Sequence, residues 1–180
     1  MAAGGSLAPA LCAKLKDMDE KDKHLAEAVL QRLCEGSQIG GIRFGPVLQI
    51  LISHINHERD EPIYGQVYLN LGSSWKVFNS RPASFPNGER DLPEASAEEQ
   101  LHAICDLRER TIIKAELGEN QPHLILTLDD GRVVFVNGKH DMYECWDMGA
   151  AFSGDGWQVI ACPGGGVAIW APKSFVPPGA

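Results

Sequence analysis

Residues 123–136 limit what this chain can fold into more than any other stretch. Leu124, Leu126 and Leu128 recur with a period of two, which puts all three on one face of an extended strand. Asp129-Asp130-Gly131 follows, and after Arg132 the run 133–136 is again apolar and rich in valine. Two such runs flanking an Asp-Gly turn read as a β-hairpin. A strand of residues 111–117 precedes it, joined by the turn at 118–122. Further strand-like runs occur at 42–44, 47–55, 65–71, 74–78, 142–148, 157–162 and 167–170. They are rich in β-branched and apolar residues. Their connections are short, so the expectation is antiparallel sheet.

Two helices interrupt this pattern. Asp19 or Asp22 can cap a helix in which Leu25, Ala28, Val29 and Leu33 recur at three- and four-residue spacing, with Gly36 as the stop. Lys21, Lys23, Glu27, Gln31 and Arg32 fall on the other side and read as a solvated face. Such a helix has one buried stripe and should lie on a sheet. Ser96-Ala97-Glu98-Glu99 is a capping box. It opens a short helix that ends near Asp106, with Leu101, Ile104 and Cys105 facing one way. Between the helices, 57–62 reads as a surface loop. Pro82, Pro86 and Pro93, with Asn87-Gly88 among them, make 79–93 a linker without a regular element. The fold class expected is α+β: mainly antiparallel sheet with an N-terminal amphipathic helix and a second short helix. Residues 1–10 read as a disordered tail, 11–170 as one globular domain and 171–180 as a loose tail. The element order is also that of a duplicated α-β module, with halves 11–78 and 94–170.

A chain of 180 residues is long enough to bury a core, and its hydrophobic fraction of 44% argues against disorder. The formal net charge is −8, without the clustered Lys and Arg that bind phosphate backbones, so nucleic acid is not an expected partner. The N-terminus lacks a basic segment followed by an apolar one, so no signal peptide is expected. No apolar stretch approaches the ~20 residues that cross a bilayer. Cys12, Cys34, Cys105, Cys145 and Cys162 are odd in number, widely spaced and free of any CxxC. That argues against a disulfide framework and a zinc knuckle. Cytoplasm is the expected location.

The densest polar cluster is residues 140–147. If it is a strand, His140 and Glu144 share a face but stand roughly 13 Å apart at ~3.3 Å per residue, too far to chelate one ion. The expectation there is an edge strand with a solvated polar face and a buried Trp146. Cysteine catalysis needs a thiolate beside a histidine, and none of the six histidines sits in a recognisable signature. Pro163-Gly164-Gly165-Gly166 lacks the Lys and Ser/Thr of a phosphate-binding loop, and a strand follows it, so it reads as a tight turn. No GxSxG is present. No catalytic residue, metal ligand or cofactor is therefore expected.

The chain does cluster acid. From Glu89 to Asp106 there are six carboxylates against Arg90 alone. A candidate acidic binding face consists of Glu94, Glu98, Glu99, Asp129, Asp130, Asp141, Glu144 and Asp147. Such a face could dock onto a basic cleft with fast, salt-sensitive association.

The C-terminal half resembles small bacterial domain families of unknown function, similar to immunity partners of secreted toxins. The resemblance rests on Leu124, Leu126 and Leu128 with Asp129-Asp130-Gly131-Arg132, then Tyr143, Glu144 and Trp146, then Pro163-Gly164-Gly165 with Val167, Ala168 and Trp170. It covers residues 112–170 and leaves open whether the N-terminal half is a second copy or an unrelated extension. It supplies no catalytic residues. It implies a non-enzymatic cytosolic binding protein, an immunity-type inhibitor of a toxin or effector with a basic site. The alternatives are a structural or regulatory homodimer joined through a sheet edge, and an enzyme using Cys145 or Cys162.

Overall fold

The structure, a computed structural model, describes residues 18–53, 63, 65–151 and 156–178. The expected tail at 1–10 and the loop at 57–62 lie outside the described residues. Helix α1 is Glu20–Cys34, and Asp19 caps it by accepting the Asp22 N–H at 2.8 Å. Strands β1 (Gln38–Arg43), β2 (Leu48–Ser53), β3 (Val67–Leu71) and β4 (Trp75–Phe78) follow. Helix α2 is Ala97–Cys105, with both hydrogen bonds of the Ser96/Glu99 capping box formed. The remaining strands are β5 (Ile112–Leu117), β6 (Leu124–Leu128), β7 (Val133–Val136), β8 (Trp146–Ala150), β9 (Gln158–Ala161) and β10 (Val167–Trp170). The fold is α+β with antiparallel sheet, as the strand pattern predicts. Among the described residues, no helix is long and apolar enough to cross a membrane.

The strands form a six-stranded sheet in the order β1-β2-β3-β8-β9-β10 and a four-stranded sheet in the order β4-β7-β6-β5. The hairpin that opened the sequence analysis is the β6-β7 pair. Its turn closes with Gly131 donating to the Leu128 carbonyl and Leu128 to the Arg132 carbonyl. Each half of the chain makes a three-stranded meander, β1-β2-β3 or β5-β6-β7. The fourth strand of each half joins the other half's meander: β4 pairs with β7 and β8 with β3. The crossover is tight at Gly72, where a Cβ would stand 2.9 Å from the Glu144 carbonyl oxygen.

The main core fills the space between the sheets and the helices. It holds Leu124, Leu126 and Leu128 together with Trp146, whose indole N–H donates to the Pro122 carbonyl at 2.7 Å. A smaller core, Ile125, Val133 and Phe135, lies on the outer face of the four-stranded sheet under Phe78, Phe85 and Leu92. Residues 79–93 are therefore a packed cover, with Phe85 stacked on Phe135 at 5.7 Å. They also contain one 3-10 turn, Glu89–Asp91, which the prolines leave room for because none falls within it.

Several expectations are corrected. The polar flank of α1 is not simply solvated, because the helix packs against the edge of β5 as well as across β8, β9 and β10. The Glu27 carboxylate accepts the Leu117 N–H and Glu35 accepts that of Ala115, both at 2.9 Å. On α2 only Ile104 is buried, while Leu101 and Cys105 are exposed, because the helix touches the rest along a narrow line. Strand β8 begins at Trp146, with bends before it, and lies inside its sheet between β3 and β9 rather than at an edge. The segment 171–178 is not wholly loose: Phe175 packs edge-on against Trp157 at 5.0 Å. The glycine turn is as expected, with Gly164 and Gly165 at φ of 83° and 88° joining β9 to β10.

Candidate functional site: an acidic groove beside the second helix

The linker returns to the start of α2 beside the first residue of β4. Pro93 lacks the N–H that would continue the preceding turn, and Ser96 starts the helix anew. The gap left is an open groove of about 590 Å³. Glu89, Glu94 and Glu99 line it with Ser74, Trp75 and Ser96, and among the described residues no basic side chain contributes to its wall. The Ser74 hydroxyl donates to the Glu89 carboxylate. Glu99 accepts the Ser96 N–H at 2.7 Å. The Ser96 backbone and hydroxyl, with Lys76 nearby, hold its carboxyl below the usual range. Burial and then the Glu89 charge push the Tyr143 phenol upward. The Tyr143 ring is itself stacked on His140 at 3.5 Å.

The eight carboxylates singled out from the sequence do not share one surface. Glu94 and Glu99 line the groove, and Glu98 lies exposed on the adjoining turn of α2. Asp129 and Asp130 occupy the turn at the opposite end of β7, since Val133 pairs with Phe78 and Val136 with Trp75. Asp130 is paired with Arg132 at 2.7 Å and Arg110 at 3.8 Å. Against the cost of burial, the Arg132 backbone and guanidinium and the Arg110 charge hold its carboxyl below the usual range. Asp141 is exposed and Glu144 half-buried on the bends before β8. Burial, then Asp147, raises the Glu144 carboxyl.

Asp147 belongs to a ladder across the outer face of the six-stranded sheet. Gln49 donates to Asn70 at 2.7 Å, Asn70 to Asp147 at 2.7 Å, and Gln158 to Asp147 at 3.3 Å. Burial raises the Asp147 carboxyl despite these bonds, and burial with the Asp147 charge pushes Tyr68 up to about 12. The groove also draws on Glu89, a member of the acidic run that was not among the eight residues singled out. Only the path of the linker brings it into one groove with Glu94 and Glu99.

Other chemistry finds little to work with. Burial pushes the Cys145 thiol up to about 11, which suppresses the thiolate a nucleophile needs. Cys162 is disulfide-bonded, so the argument against disulfides from cysteine spacing does not hold for it. His123 is buried, its Nδ1 accepting the Gly138 N–H at 2.9 Å. Among the described residues, no group of three His, Cys, Asp or Glu side chains is placed to hold a metal ion. Comparison with protein-family models, curated proteins and solved structures finds no match.

Proposed function

We propose that the protein is a non-enzymatic binding protein that takes a basic segment of a protein partner into the groove beside α2. The observation carrying this is the groove itself: three carboxylates on its wall, no basic residue among its described lining, and Trp75 as an apolar anchor. Aromatic anchors beside charged rims are where binding energy concentrates in protein interfaces. With the resemblance of the C-terminal half, the reading becomes an immunity-type inhibitor that occludes the basic site of a secreted bacterial toxin or effector. The test is inhibition of the toxin encoded beside this chain's gene. Wild type should inhibit with an association rate that falls steeply with salt. Glu89→Gln with Glu94→Gln should slow association roughly tenfold or more at low salt. Failure to inhibit the neighbouring gene product, or a salt-independent rate, would overturn it.

A second reading is a structural or regulatory homodimer joined through a sheet edge. It draws on Phe44 and Val47, 66% and 43% exposed, in the turn between the edge strand β1 and β2. Sedimentation showing a stable dimer that Phe44→Ser dissociates would favour it over the first.

A further inference from the structure

A second cleft, of about 250 Å³, lies between β4 and α2. Trp75, Lys76, Val77 and Asn79 stand on the strand side, and Ala95, Glu99 and Ala103 on the helix side, with the Lys76 charge near Glu99. Trp75 and Glu99 also line the acidic groove, so the two are continuous. Strand β4 is the outer strand of its sheet and, among the described residues, pairs with β7 alone. Asn137 donates its N–H to the Ser74 carbonyl, and Lys76 and Phe78 lie opposite Phe135 and Val133. By antiparallel alternation, Ser74, Lys76 and Phe78 direct their backbone groups to β7. Those of Trp75, Val77 and Asn79 point outward to the cleft, and no described residue takes them. The opposite edge of this sheet is treated differently, since Glu35 and Glu27 occupy the outward amides of Ala115 and Leu117 on β5.

We propose that β4 receives an extended peptide segment of a protein partner as a fifth, antiparallel strand, seated in the cleft against α2. Main-chain hydrogen bonds to an open edge give such binding its affinity, and flanking pockets select side chains. Ala95 and Ala103 leave room for small or β-branched side chains beside the helix. An antiparallel strand ends next to Ser74 and Trp75, where Glu89, Glu94 and Glu99 stand, so a basic residue should follow the paired segment. Strand β4 has only four residues and carries Lys76. A short, lysine-bearing edge resists pairing with another sheet, which selects a peptide over a second copy of this chain. The basic end rests on the acidic-groove reading; the strand pairing does not.

The test uses the full chain and a synthetic peptide of alternating valine and threonine ending in two arginines, with affinity measured by calorimetry. Amide exchange by NMR should show Trp75 and Val77 protected on binding. Val77→Pro removes one outward N–H without touching the bonds to β7, and should weaken binding roughly tenfold or more. Ala103→Trp fills the cleft from the helix side with β4 intact and should do the same, so it carries the test if Val77→Pro fails to fold. Binding that falls with Glu89→Gln and Glu94→Gln but ignores both cleft variants, with Val77 unprotected, overturns strand pairing and leaves the acidic groove standing. Binding that both cleft variants weaken but salt does not supports the pairing and removes the basic end. Absence of binding overturns the proposal.

Discussion

His123 shows how one side chain ties a fold to pH. Its ring accepts the Gly138 N–H at 2.9 Å and packs on Phe135 at 5.1 Å, so it ties β7 to the segment that follows it. Burial, with the Lys139 charge, lowers its pKa from 6.5 to about 4, against the Asn87 bond that raises it. A base whose pKa is depressed on folding leaves the unfolded chain binding the extra proton between those values. Stability should therefore fall as pH drops from 6.5 towards about 4, by roughly 1.4 kcal/mol per pH unit. The raised carboxyls of Glu144 and Asp147 act in the opposite sense, because the folded chain holds their protons longer. Urea denaturation of wild type and His123→Gln across this range isolates the histidine. The variant should start less stable and lose that slope; an unchanged difference between the two at pH 7 and pH 4.5 would contradict the assignment.

At the scale of elements, edges are the problem this fold has to solve. Helix α1 solves one of them with Glu27 and Glu35, whose carboxylates stand in for a neighbouring strand along β5. An amide left buried without its acceptor costs about 1–3 kcal/mol. Glu27→Ala should lose that much in chemical denaturation and speed exchange at Leu117. Glu27→Gln keeps an acceptor oxygen and should lose much less. Equal losses for the two would mean that packing of the stem, rather than the hydrogen bond, is what matters. This device escapes sequence reading because Glu27 sits among Lys21, Lys23 and Arg32, where any helix would carry its solvated face. Conversely, Leu101 at helical spacing from Ile104 and Cys105 looked like core, and α2 leaves it 43% exposed.

Over the whole molecule, the exchange of fourth strands makes the two halves mutually dependent. The six-stranded sheet needs the β3-β8 pair, and the four-stranded sheet needs the β4-β7 pair. A cut in the linker between Phe78 and Ser96 therefore leaves each fragment with an incomplete sheet and an uncovered apolar face. Wild type should unfold in one transition, coincident by fluorescence and circular dichroism. A fragment of 94–180 alone should show no cooperative transition, and mixing it with 1–93 should restore one. A fragment that unfolds cooperatively by itself would show that the halves are separate folding units.

The sequence by itself determined the local elements: the β6-β7 hairpin, the Asp19 and Ser96 caps, the glycine turn, and antiparallel sheet from short connections. Each of these depends on residues within a few positions of one another. It also determined the abundance of acid between Glu89 and Asp106, but not how that acid is arranged. Tertiary structure alone decided that Asp130 is neutralised by Arg110 and Arg132 and that Asp147 is tied into a ladder from Asn70 and Gln158. It alone placed Glu89 in one groove with Glu94 and Glu99, and left the edge of β4 open beside α2. The reason is physical: a carboxylate's charge is a property of its own residue, but whether it meets an arginine, an amide or water depends on which strand pairs with which.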